Sequence, residues 1–352
     1  MIKGVNQRFL NIGVICPSEI AFRRFMPALE KAQAFRYAGI GASSFAERFG
    51  DVAPDAGKKA AIAEETRKAQ AFSGKYGGEI FESYEAIAAS GRIDALYIPL
   101  PPALHCKWAM RALEAGKHVL VEKPATLSAK DTAALTALAG RAGLAVHENY
   151  MFVFHKQIGE VARIVSSGEI GEVRLYRIDF GFPRRAEGDF RYSKALGGGA
   201  LFDCGGYTLR YAMLLLGGSA RLVCANAGYE EGLEVDVSGT ATLVNDAGRT
   251  AQIAFGMDND YRCSLDVWGS KGSLHTGRIL TAPAGFEPEI RIVKNGKEEI
   301  RALSEDDAFE NSINRFAERI RDPGARAEGY ESAESQARAV DEFARLAGMR
   351  GF

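Results

Sequence analysis

Apolar residues over the first 150 positions alternate between continuous runs and helical spacing. Phe9–Ile15 reads as a buried strand. Ile20 to Ala32 follows, with Ile20, Ala21, Phe25, Ala28 and Leu29 on one helical face. Phe35–Ala42 is a second strand, and Asp94–Leu100 is another, stopped by Pro99, Pro101 and Pro102. Cys106–Ala115 reads as a helix closed by Gly116, His118–Val121 as a strand, and Ala129–Ala142 as a helix capped by Ser128 and closed by Gly143. Leu144–His147 is one more strand. Strands separated by helices imply a parallel, doubly wound sheet.

The texture changes from about residue 170. Gly171–Phe182, Ala220–Gly228, Val235–Val244, Thr250–Met257 and Arg262–Trp268 read as strands with few helices between them. Gly269–Gly272 is a turn between two strands. Such a run implies an antiparallel sheet with one covered face, flanked by helices at Leu201–Leu216, Asp306–Ile320 and Glu331–Leu346. The expected class is α/β: a Rossmann-type domain over residues 1–148, then an α+β domain over 149–352 with a large, mostly antiparallel open sheet. The charged, Ala-rich stretch Gly50–Lys75 is expected to add a surface helix between the second strand and the next core element.

Composition narrows the function classes. Hydrophobic residues make up 47% and charged residues 25%, so a disordered or low-complexity chain is excluded. A net charge of -1, without a Lys/Arg-rich run, gives no footprint for nucleic acid. The apolar run Phe9–Cys16 is too short to span a bilayer or, behind Lys3 and Arg8, to serve as a secretion signal. The five cysteines are scattered, with no CxxC pair, and no His/Asp/Glu grouping has metal-ligand spacing. A cytoplasmic protein with reduced thiols and no metal is the expectation.

In a dinucleotide fold the turn after the first strand cradles pyrophosphate. Here it runs Gly13-Val-Ile-Cys-Pro17-Ser18-Glu19-Ile20, with Cys16, Ser18 and Ala21 where the glycines of GxGxxG would stand. Ser18 can cap the following helix and donate to phosphate. After the second strand, Ala42-Ser43-Ser44 carries no acid to repel a 2′-phosphate, and Arg48 lies one turn on. That favours NADP(H) over NAD(H).

Two clusters stand out. Strand His118–Val121 ends in Glu122-Lys123-Pro124, at the sheet edge where ligands bind in open α/β folds. Further on, Gly197-Gly-Gly-Ala-Leu-Phe-Asp203-Cys-Gly-Gly-Tyr207 places Asp203 and Tyr207 four residues apart, on one helical face.

With Ile20–Leu29, Tyr97–His105, Ala112–Pro124, Met151–His155, Gly168–Val173, Leu196–Tyr207 and Gly269–Gly272, the chain resembles the glucose–fructose oxidoreductase/inositol dehydrogenase (Gfo/Idh/MocA) family in order across most of its length. Tyr207, where many members carry His, is similar to the branch of nucleotide-sugar 3-ketoreductases and dihydrodiol dehydrogenases. The resemblance implies hydride transfer between a nicotinamide and a carbinol or ketone carbon of a sugar-like substrate, with nucleotide linkage of that sugar expected from the same branch. A free aldose or trans-diol dehydrogenase, and a silent NAD(P)-binding regulatory protein, are the alternatives. Lys123, Tyr207 and Asp203 are the implied catalytic residues, with either Lys123 or Tyr207 as proton donor. A Lys123 ammonium near Tyr207 would favour the tyrosinate. Gly13, Pro17, Ser18, Glu19, Ile20, Ser43, Ser44, Arg48, Leu100, Pro101, His105, Glu122 and Lys123 are expected at the coenzyme. His155, Arg191 and Tyr207 are expected at the substrate, and Arg184 and Arg185 lie in the same loop as Arg191. A homodimer or homotetramer is expected through the second sheet, whose strands carry Val, Leu and Trp.

Overall fold

A computed structural model of the chain describes residues 9–349; Lys3 and Arg8 lie outside it. Strands β1 (Leu10–Val14), β2 (Phe35–Gly41), β3 (Glu79–Phe81), β4 (Ala95–Ile98), β5 (His118–Val121) and β6 (Val146–Glu148) form one parallel sheet in the order β3-β2-β1-β4-β5-β6. The order reverses between β1 and β4, and ligands bind above the carboxyl ends of the strands at such a point. Residues of β4 are buried on both faces, which is why its sequence is continuously apolar. Helices α1 (Met26–Lys31), α2 (Phe45–Phe49), α3 (Ala56–Tyr76), α4 (Tyr84–Ala89), α5 (Pro102–Glu114) and α6 (Ala129–Ala142) cover this sheet. The stretch Gly50–Lys75 thus supplies most of α3, a helix of 21 residues. It is not a solvated surface helix throughout: Glu65, Ala69 and Phe72 are buried.

Helix α7 (Lys156–Ser166) leads into the second sheet, built from β7 (Val173–Gly181), β8 (Arg221–Tyr229), β9 (Asp236–Val244), β10 (Thr250–Gly256), β11 (Arg262–Gly269), β12 (Ser273–Gly277), β13 (Glu289–Lys294) and β14 (Lys297–Ala302). Their order is β14-β13-β12-β11-β7-β10-β9-β8, antiparallel except for β7 beside β10. α8 (Gly206–Leu216) and α10 (Pro323–Leu346) pack on one face. α9 (Ala308–Arg321) returns to the first sheet, where Phe316 stacks on Phe35 at 5.5 Å between ring centres.

The open face of the second sheet differs from the expectation. Leu265 and Val267 point into the core, and the alternation of β11 turns Asp266 and Trp268 outward. Trp268 is 66% exposed, among Arg177, Asp266, His275 and Arg291. The face is polar with an aromatic centre rather than a continuous Val/Leu surface.

Candidate active site

The site begins with three loops at the carboxyl edge of the parallel sheet. After β1 the chain turns at Cys16–Ser18, and Ser18 Oγ accepts from the N–H of Ala21 at 3.2 Å. The helix opens with a wide π-type turn, Ala21–Phe25, before α1. After β4, Leu100 and Pro101 lead into Pro102 at the first position of α5, where a missing N–H costs nothing. After β5 come Glu122 and Lys123, followed by a cis Lys123–Pro124 bond.

His105 is fully buried and pinned between the carbonyls of Leu100 and Pro124, 2.7 Å from each. Burial holds its ring at about 4. It braces the second loop against the third and does not line the cleft.

The facing wall comes from Gly197–Gly199. A Cβ on Gly198 would lie 2.3 Å from the carbonyl oxygen of Arg191, so only glycine lets this loop cross beneath it. A second π-type turn, Leu201–Gly205, then presents Asp203, and the first turn of α8 presents Tyr207. π-turns of this kind recur at functional sites.

Between the walls lies a cleft of about 720 Å³, within the usual range for a small-molecule site. Ser18, Glu19, Ile20, Leu100, Pro101, Glu122 and Lys123 line one side; Arg191, Asp203 and Tyr207 line the other.

At its centre, Lys123 Nζ donates to Asp203 Oδ1 at 2.6 Å and to the Asp203 carbonyl at 2.8 Å. Arg191 Nε donates to Asp203 Oδ2 at 2.6 Å, and Arg191 also pairs with Asp189. Burial alone would raise the Asp203 carboxyl; the charges of Lys123 and Arg191 outweigh it and hold the group at about 2.

Tyr207 is enclosed by Tyr150, Phe152 and Phe180, and its hydroxyl points to Met151 Sδ at 3.8 Å. Lys123 Nζ sits over the Tyr207 ring, 5.1 Å from its centre, and spends its hydrogen bonds on Asp203. The expected tyrosinate is therefore corrected. Burial, followed by the charges of Glu122 and Asp203, pushes the Tyr207 hydroxyl well above its ordinary value.

Behind Lys123, Glu122 Oε1 accepts from Tyr97 Oη and Asn149 Nδ2, each at 2.7 Å. Burial raises the Glu122 carboxyl.

At the end of β2 the structure overturns one premise. An acid is present: Glu65 of α3 reaches into the turn. The Ser43 N–H donates to its Oε1 and the Ser43 hydroxyl to its Oε2, both at 2.7 Å. Arg48 donates to Oε2 at 2.8 Å, and Tyr84 to Oε1 at 2.7 Å. Ser44 instead caps α2 through Glu47.

Other expectations fall outside the cleft. Gly13 is a packing position, where a Cβ would lie 2.8 Å from Ile87 Cδ1, and Pro17 is buried in the turn without lining the cleft. The structure corrects the substrate role for His155: it caps α7 through its Nδ1 and is 2% exposed. Arg184 pairs with Glu230 and Asp258, whereas Arg185 lines the cleft. Met151, Phe180 and Phe182 also line it. They escaped sequence reading because they carry no polar group. No group of three His, Cys, Asp or Glu among the described residues is placed to hold a metal ion.

Comparison with known proteins agrees with this architecture. Residues 35–150 match the model of an oxidoreductase family with an NAD-binding Rossmann fold, and residues 158–275 match the GFO/IDH/MocA C-terminal domain. A dTDP-3,4-didehydro-2,6-dideoxy-alpha-D-glucose 3-reductase from Actinomadura kijaniata is 37% identical over 336 residues, covering 96% of this chain and 95% of its own. A D-xylose 1-dehydrogenase (NADP(+)) from Haloferax volcanii is 31% identical, covering 68% of this chain and 74% of its own. The crystal structure of a 3-ketoreductase from Actinomadura kijaniata, in complex with NADP and TDP-benzene, superposes with a TM-score of 0.86 at 35% identity, covering 96% of this chain and 98% of that one. The chain belongs to the GFO/IDH/MocA oxidoreductase family and is an NAD(P)-dependent oxidoreductase.

Proposed function

We propose that this chain is a ketoreductase for a nucleotide-linked keto-sugar, with NADP(H) as coenzyme. The observation that carries the reading is the Lys123–Asp203–Arg191 cluster beside Tyr207, in a cleft that the β1 turn also lines. Cys16–Ile20, Leu100–Pro101 and Glu122–Lys123 would hold the dinucleotide along the sheet edge. The relative bound to NADP supports that form of the coenzyme. When bound, the coenzyme supplies the hydride, and the protein handles the proton and aims the carbon.

Asp203 holds the Lys123 ammonium at the cleft, where it stabilises charge developing on the substrate oxygen. Tyr207 keeps its proton because burial disfavours the anion. A hydroxyl in that state has a proton to give to a new alkoxide. In the related 3-ketoreductase, a lysine-to-alanine and a tyrosine-to-phenylalanine variant have been crystallised. Those two positions are separated by the same number of residues as Lys123 and Tyr207, which supports both assignments. Arg23, Arg24 and Arg185 add cations to the cleft that suit a diphosphate. NADPH oxidation with a dTDP-linked keto-sugar should exceed that with free aldoses or with a trans-diol and NADP⁺ by at least about 100-fold in kcat/KM. Equal rates on free sugars would overturn the nucleotide-linked reading.

We also propose that copies of the chain associate through the open face of the second sheet. Trp268, with exposed Val223 and Ile300, supplies the apolar part of that face. Light scattering at micromolar concentration should give two or four chain masses, and Trp268→Glu should lower the value. A wild-type mass of one chain would refute it.

A further inference from the structure

The Glu65 cluster lies where a doubly wound fold meets the adenosine ribose, at the carboxyl end of β2 and against the turn after β1. Cys16, in that turn, lines the cleft and feels Glu65: burial, with the Glu65 charge adding to it, pushes the thiol up to about 12. Four donors converge there from three parts of the chain: the Ser43 N–H and hydroxyl at the end of β2, Arg48 on α2, and Tyr84 on α4. A backbone N–H, a hydroxyl and a guanidinium are the groups that hold a phosphate. In this chain they hold a carboxylate instead.

Both Glu65 oxygens accept two hydrogen bonds, so the four lone-pair positions of the carboxylate are filled. Glu65 is 7% exposed and Ser43 is 6% exposed, whereas the Arg48 side chain is 40% exposed and gives the cluster its solvent side. Arg48 also donates to the Ala61 carbonyl at 3.2 Å, which ties α2 to α3 behind the acid.

We propose that Glu65 is a coenzyme-specificity residue: an internal anion that occupies the donors for a 2′-phosphate and weakens binding of NADP(H) relative to NAD(H). The inference rests on the nicotinamide-coenzyme reading above. A 2′-phosphate must take Ser43 and Arg48 from Glu65 and then lie beside its charge. A 2′-hydroxyl needs neither step, so NAD(H) binding is insensitive to the exchange. The residue comes from α3, in the stretch that departs from the simple strand–helix alternation, so its effect belongs to that segment and not to the β2 turn alone.

The test is the dissociation constant of NADPH and of NADH, by fluorescence titration, for the wild type and Glu65→Gln. The neutral, isosteric variant should bind NADPH about 10- to 100-fold more tightly, the worth of one or two charge-assisted hydrogen bonds, with NADH changed less than about threefold. An unchanged NADPH/NADH ratio, or a shift towards NADH, overturns the proposal. If Glu65→Gln does not fold, Glu65→Asp keeps the charge on a stem too short to hold both Ser43 and Arg48. It should move the ratio towards NADPH by about threefold or more, and no movement overturns the proposal equally. A wild type that prefers NADH, with the variant shift intact, would refute the NADP(H) assignment and leave the role of Glu65 standing. Binding of neither coenzyme would refute both.

Discussion

Replacing Lys123 by alanine is expected to lower kcat about 10²- to 10⁴-fold, while the coenzyme dissociation constant stays within about threefold. The split follows from geometry. Lys123 Nζ is held by two oxygens of Asp203 on the side of the cleft that carries Tyr207. On the proposed reading its charge meets the oxygen that gains charge during the reaction, so its removal should be felt in the transition state more than in the ground state. Tyr207→Phe provides the contrast. It removes one hydroxyl and leaves the ring in its contacts with Tyr150, Phe152 and Phe180. If that hydroxyl gives the proton, kcat falls about 10²-fold; if it only binds substrate, the loss is about 1–2 kcal/mol and appears in KM. Because burial raises the Tyr207 hydroxyl, the wild type should show no basic limb in kcat near neutral pH that disappears in the Phe variant. Such a limb would restore the tyrosinate as the working form. Near wild-type turnover in Lys123→Ala would remove the lysine from the catalytic set.

What the sequence discloses follows from how each element is buried. β1, β2, β4 and β5 are legible because strands whose residues are mostly buried or half-buried carry near-continuous apolar runs. β14, Lys297–Ala302, is an edge strand with almost every side chain exposed, so selection for burial left no alternation to read. β3 has three residues, too few for a period. Lys123, Asp203, Tyr207 and Arg191 are legible because their motifs bind them to fixed backbone features: a strand end, a glycine-tight loop and a helix start. Glu65 is not. It sits in an Ala-, Lys- and Glu-rich helix whose composition resembles a solvated surface, and only the packing of α3 against the β2 turn turns that face inward. His155 misled for the opposite reason: a histidine near a substrate domain suits both a ligand and a cap, and spacing cannot separate them.

Asp203→Ala is expected to cost about 3–5 kcal/mol of stability, the usual loss when one partner of a buried ion pair is removed. Among the described residues, Asp203 is the only carboxylate paired with both Lys123 and Arg191. Without it, two cations face each other across a buried site, with Asp189 left to balance only Arg191. Lys123 retains the backbone carbonyl of residue 203, 2.8 Å away in the wild type, which supplies a hydrogen bond but no compensating charge. Asp203→Asn keeps the shape and one acceptor oxygen but turns an N–H₂ towards one of the two cations, so its loss should be smaller. Urea midpoints of the three proteins give the order directly. The same pairing fixes the acid dependence. The folded Asp203 carboxyl lies at about 2, below its ordinary value of 3.8, so its contribution is complete above about pH 4 and is lost as pH falls towards 2. In both variants the difference from wild type should therefore shrink as pH falls through that window. A gap in stability that persists unchanged at pH 2 would mean that Asp203 acts through packing, and equal stability at pH 7 would mean that the ion pairs contribute nothing.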